Sequence, residues 1–177
     1  MKKSILFIAI FAITLMSSTQ IAGQAFKDLD KSPMDAAAYP SSYKESDKIV
    51  KVVYSRPQLK GREVAKLAPA GKVWRTGANE AAEITFYRDV TFGGKAVKAG
   101  TYSLFTIPSE AGDWTVIINT ARNVWGSYFY KEDQDVVRVS GAVAKSEKNI
   151  EAFSMLFDKE MTLKMGWGNI VVSVPIQ

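Results

Sequence analysis

Short runs of β-branched and aromatic residues recur along this chain at intervals of about ten residues. Glycine, proline, asparagine or aspartate closes each run. The runs fall at residues 48–55, 84–88, 101–107, 114–119, 135–143, 150–158, 161–167 and 170–176. Turns at this spacing stop a helix before it gathers length. Only residues 60–67, ended by Pro69 and Gly71, could hold a helical turn. Within the runs the pattern has period two. Tyr102, Leu104 and Thr106 share one face of residues 101–107, and Ser103, Phe105 and Ile107 the other. Residues 90–97 read as a hairpin, with Gly93-Gly94 as the two turn residues free to take positive φ. Gly168-Asn169 reads as a turn between two further strands. These features predict an all-β, single-domain antiparallel β-sandwich, jelly-roll or immunoglobulin-like, with at most one short helix. A small barrel is the alternative.

The first residues belong to a different class of signal. Lys2 and Lys3 precede an apolar run at residues 5–16, and small residues follow at Ala22, Gly23 and Ala25. Residues 1–25 therefore read as a secretory signal peptide, cleaved after Ala25. The rival reading, a membrane anchor, needs roughly 20 apolar residues, which this run does not reach. Residues 26–46 have no sustained period and read as a lead-in segment, leaving 47–177 as the sandwich domain. The expected location is the periplasm or the cell surface, with no membrane span after cleavage.

Composition narrows the chemistry. The 177 residues contain no histidine and no cysteine. A Ser-His-Asp or Cys-His arrangement, a zinc finger and a disulfide staple are excluded together. No phosphate loop of the G-x-x-x-x-G-K-[ST] type occurs. Of 23 basic residues, Lys2 and Lys3 leave with the leader, so 21 face 18 acidic ones. No block of like charge marks a nucleic-acid partner. No cofactor and no catalytic residue is expected. Residues 132–135, E-D-Q-D, offer oxygen ligands but lack calcium-loop spacing and read as a solvated turn, so no metal is expected.

Directed polar groups concentrate at residues 72–83, K-V-W-R-T-G-A-N-E-A-A-E. In an extended chain Trp74 faces opposite to Val73 and Arg75. Gly77 and Asn79 suit a bend. Two readings follow. In the first, Trp74 fills core, Arg75 pairs with Glu80 and Asn79 holds the bend. In the second, Arg75, Asn79 and Glu80 line a concave face with Arg56 beside them. There an arginine fork matches carboxylate or phosphate oxygens, and Trp125 and Tyr128 form a stacking wall. The candidate ligand-binding set is thus Arg56, Trp74, Arg75, Asn79, Glu80, Trp125 and Tyr128.

Several of these segments resemble a known family. Y-S-R-P at residues 54–57, K-G-R-E at 60–63, G-K-V-W-R-T-G-A-N-E-A at 71–81 and A-G-T-Y-S-L-F-T-I-P at 99–108 carry the resemblance. Trp125-Gly126 and S-V-P-I at 173–176 add to it. The family is a secreted bacterial one known only as a domain of unknown function, number twenty-nine eleven. The resemblance covers residues 32–176 and implies export, one mostly-β domain and no catalytic residues to carry over. The functional expectation is a non-catalytic binding module. Its partner would be a small anionic or carbohydrate-like molecule, a glycan or an envelope protein. A hydrolase of envelope glycans built on carboxylates such as Glu80 and Glu83 is one alternative. A purely structural envelope protein is the other.

Overall fold

The computed structural model describes residues 26–177, so the expected signal peptide at 1–25 lies outside the described residues. The fold is almost wholly antiparallel β. In chain order the elements are β1 (Met34–Tyr39), β2 (Val50–Ser55), a single helical turn α1 (Val64–Leu67), β3 (Ala82–Phe86), β4 (Val90–Phe92), β5 (Lys95–Val97), β6 (Gly100–Ile107), β7 (Trp114–Asn119), β8 (Asp135–Phe157) and β9 (Thr162–Pro175). Seven strands form one sheet in the order β1-β2-β3-β6-β7-β8-β9, and β4 and β5 form a separate hairpin. That α-helical turn lies inside the segment where the sequence allowed it, and a 3₁₀ turn at Glu132–Gln134 leads into β8.

The sheet curls until its two ends meet. Beyond β2, Leu59 N donates to Glu151 O at 3.0 Å and Phe153 N donates to Pro57 O at 2.9 Å. The far half of β8 therefore lies across from β2, and the main core fills the space between. Val50, Val52, Ile84, Leu104, Val116 and Leu163 are fully buried there. The β4–β5 hairpin closes the opposite end, where Thr91 and Gln177 exchange backbone hydrogen bonds of 2.7 and 3.0 Å.

Two features differ from the sequence expectation. Residues 26–46 supply an edge strand from Met34 onward, with β1 paired to β2 from Met34↔Ser55 to Tyr39↔Val50. M-D-A-A-A-Y has few strand-favouring side chains, but ladder bonds are made by backbone and do not need them. In addition, residues 135–143 and 150–158 are parts of one long strand, β8, and 161–167 and 170–176 belong to β9. Gly168 bends the chain with φ +59° instead of ending it. Opposite it the pairing slips, because β8 carries the surplus residues: Lys145 pairs Ile170 and Ile150 pairs Gly168, and the face that β9 turns inward changes there. Leu163, Met165 and Trp167 face the core before it, and Val172, Val174 and Ile176 after it.

The strand ends carry acid-sensitive carboxylates. In the β8–β9 turn Asp158 accepts the Thr162 N–H at 2.9 Å and the Glu160 N–H at 3.1 Å. Asp113 accepts the Ser140 hydroxyl at 2.8 Å and the Val143 N–H at 3.1 Å. The Thr162 N–H above all holds Asp158 below its ordinary value of 3.8, and the Ser140 hydroxyl does the same for Asp113. A carboxyl depressed by folding stabilises the fold above its unfolded value and loses that contribution as pH falls through the folded one. Melting temperature should therefore fall below about pH 4. The Asp158→Asn and Asp113→Asn variants should show a shallower fall. An acid slope unchanged in both would contradict this assignment.

Candidate functional site

Residues 72–83 run beside β6. Trp74 N donates to Thr106 O at 2.7 Å, and Thr106 N donates back to Trp74 O at 3.0 Å. That short antiparallel bridge fixes the alternation. Trp74 points into the main core, stacked on Trp167 with ring centres 5.3 Å apart and planes 10° from parallel. Val73 points the other way, onto a second apolar cluster of Ala81, Phe105 and Ile117 on the outer face of the sheet. Arg75 shares that outer side. The chain then turns back, with Ala82 N donating to Arg75 O at 3.0 Å. Gly77 suits this bend because a Cβ there would crowd the backbone oxygen of Ser55, 3.0 Å away. Asn79 takes φ +60°.

The long connection between β7 and β8 folds over this bend. Gly126 N donates to Asn79 O at 2.9 Å and Ala81 N donates to Val124 O at 2.9 Å. Glu80 bridges Trp125, strand against strand. The base of the connection is a buried polar network. The Asn119 amide, wholly enclosed, donates to Lys131 O at 3.0 Å and to Asp135 Oδ1 at 2.8 Å. Tyr130 donates its hydroxyl to Asp135 Oδ2 at 2.7 Å. Burial first, and then the Asp135 carboxylate, push this phenol well above the ordinary tyrosine range. Arg138 lies 3.1 Å from Asp135 and 2.6 Å from Glu132. The carboxylates of residues 132–135 that could have offered metal ligands are thus partly spent on anchoring the loop.

The seven sequence candidates separate into three groups. Asn79, Glu80 and Trp125 belong to the bend and the loop paired over it, and Tyr128 of that loop lies near enough to Arg75 to influence it. Trp74 lies in the core, 5% exposed. Arg56 is directed elsewhere: it donates to Phe153 O at 3.1 Å, to Ser154 Oγ at 2.7 Å and to Asp35 Oδ2 at 3.0 Å. It ties β1 and β2 to β8 across the curl.

Arg75 does not pair with Glu80. Among the described residues, the ion pairs of Arg56, Arg88 and Arg138 have no counterpart at Arg75, and its buried Nε has no hydrogen-bond partner. Burial lowers its affinity for the proton somewhat, against the opposing influence of Tyr128, but a guanidinium stays charged. Above it Trp125 and Tyr128 are 54% and 83% exposed. Beside the bend opens a cleft of about 320 Å³ walled by Met34, Val53, Tyr54, Ser55, Glu80, Ala81, Glu83 and Asn123. Glu83 accepts the Asn123 N–H there at 2.7 Å. Met34 and Asn123 are wall residues absent from the sequence candidates, and no spacing in the chain announces them. Val53, Tyr54, Ser55 and Ala81 are likewise outside that set, and so is the exposed Phe129. The aromatic richness of residues 125–130 was its only signal.

Among the described residues this face gathers a half-buried guanidinium, two carboxylates and exposed aromatic rings. Comparison with known proteins supplies a family and no activity. Residues 32–176 match the family model described as "Protein of unknown function (DUF2911)". The chain belongs to that family. The DUF2911 match begins two residues before β1 and runs into the last residues after β9, so the edge strand is part of the family's unit. No curated protein and no solved structure matches the chain.

Proposed function

We propose that this DUF2911 chain is an exported binding module, and that its outer face takes a small anionic or carbohydrate-like ligand. The observation that carries this reading is Arg75. Its guanidinium is half-buried, its Nε is unpartnered, and two exposed aromatic rings belong to the loop strapped over the same bend. A buried donor without a partner is costly unless something supplies an acceptor. A ligand carboxylate or sulfate would not reach the enclosed Nε but would meet the exposed part of the same unpaired guanidinium with a charge-assisted bond, while Trp125 and Tyr128 offer faces on which a sugar ring can stack. Export rests on the leader-like sequence of residues 1–25.

The hydrolase alternative needs one carboxyl kept protonated by an apolar enclosure. Glu80 is exposed and Glu83 only half-covered, so neither has that enclosure. Binding is therefore the better-supported reading.

Calorimetric titration with oligogalacturonate and with an uncharged oligosaccharide of equal length tests it. The acidic sugar should bind more tightly. Arg75→Ala should weaken it roughly tenfold, and Trp125→Ala should weaken both sugars. Equal affinities in the wild type and in both folded variants would refute the assignment.

A further inference from the structure

We infer that the cleft between β2 and the 72–83 bend is a separate site for a small organic amine, a primary ammonium carried on an apolar stem. This goes beyond the anionic ligand proposed for Arg75: the cleft walls do not include Arg75, and the Trp125 indole borders both sites.

The cleft measures about 320 Å³, and no lysine or arginine is among its walls. Its apolar surface comes from Met34, Val53 and Ala81, and its charged groups are the two carboxylates of Glu80 and Glu83. The alternation of β2 explains the apolar part. Val50, Val52 and Tyr54 point into the main core, so Val53 is left on the outer face. Arg56, next in the chain to the Ser55 wall, does not neutralise the carboxylates, because its guanidinium is held by Asp35, Phe153 and Ser154.

Glu83 is positioned, not free. Asn123 N donates to its Oε1 at 2.7 Å, leaving the second oxygen for another donor. Neither Glu80 nor Glu83 forms an ion pair among the described residues. The Glu80–Trp125 bridge places the half-exposed indole on the same side as Glu80. An indole face next to a carboxylate is favourable for an ammonium group. Anions are disfavoured by the same walls. A cleft of this size, with apolar walls and two carboxylates, thus matches an alkylamine or arylalkylamine and rejects the corresponding acid.

The test uses residues 26–177 and three six-carbon probes that differ only in the head group: hexylamine, hexanol and hexanoate. Binding is followed by chemical-shift changes at the amides of Val53, Ala81 and Asn123. Hexylamine should bind and perturb those amides, hexanol should bind more weakly, and hexanoate should leave them unmoved. Glu83→Gln keeps an oxygen for the Asn123 N–H and should weaken hexylamine roughly tenfold. Glu80→Gln should act in the same direction, and added salt should weaken the amine alone. Arg75→Ala should leave hexylamine affinity unchanged, so failure of the anionic site and failure of this one are separable. The inference is overturned if hexanoate binds as well as hexylamine, if no probe moves the cleft amides, or if the glutamine variants, melting like the wild type, bind the amine unchanged.

Discussion

Trp74→Ala lowers the unfolding free energy by about 3–5 kcal/mol, the usual range for deleting a large aromatic from a packed core. The expectation follows from where the ring sits. It stacks on Trp167 at 5.3 Å, meets Phe153 edge-on at 5.0 Å and approaches Trp114 at 6.4 Å. Those partners come from β9, β8 and β7, so the indole sits where the two halves of the curled sheet face one another. The backbone bridge to Thr106 survives the substitution and holds the bend in place, so the surroundings cannot collapse fully into the space left. Urea unfolding followed by far-ultraviolet circular dichroism measures the loss. Trp125→Ala is the control, since an exposed ring contributes within about 0.5 kcal/mol. Equal losses at the two tryptophans would mean that the core assignment is wrong.

The second large effect is expected at Asn119. Asn119→Leu should destabilise the protein by about 2–4 kcal/mol. The amide is fully buried, donates to Lys131 O and Asp135 Oδ1, and accepts the Ala121 N–H at 2.9 Å. Leucine fills a similar volume but strands all three partners in a region water cannot easily reach. The damage should be local as well as global. Residues 120–131 carry Trp125 and Tyr128, and their two ends are tied through this side chain. Limited trypsin digestion should therefore cut at Arg122 or Lys131 faster than in the wild type. Tyr130→Phe removes two hydrogen bonds of the same network, the one donated to Asp135 and the one accepted from Arg138, and should cost about 1–2 kcal/mol. If Asn119→Leu melts like the wild type and resists trypsin equally, the network does not anchor the loop.

Both effects bear on the site. The outer face works only if the bend and the aromatic loop keep their mutual register. That register is set by the backbone bonds Gly126–Asn79 and Ala81–Val124 and by the polar network below them. The core beneath Trp74 supports one side of the arrangement and the Asn119 network the other.

Local periodicity made much of the fold legible. The period-two pattern of residues 101–107 separates Leu104 in the main core from Phe105 in the outer cluster. The Gly93-Gly94 pair joins β4 and β5 where expected. Strand continuity was harder. A glycine between two alternating runs reads equally as a turn or as a bend within one strand, and β9 continues through Gly168 because β8 stays alongside, with its own bulge, to pair with both halves. β1 was hidden because its stability comes from the neighbouring strand's backbone and not from its own side chains.

The sequence alone determined that Trp74 and Arg75 lie on opposite sides of the chain, since a pleated strand alternates whatever surrounds it. It also determined that histidine and cysteine chemistry is absent. Only the tertiary structure decided which side was core, that Arg75 lacks the Glu80 partner, and that Arg56 belongs to β8. Phe153 and Ser154, which hold Arg56, lie 97 and 98 residues away from it in the chain. No local pattern encodes such a meeting. It results from the curl of the whole sheet, which brings the far half of β8 across from β2.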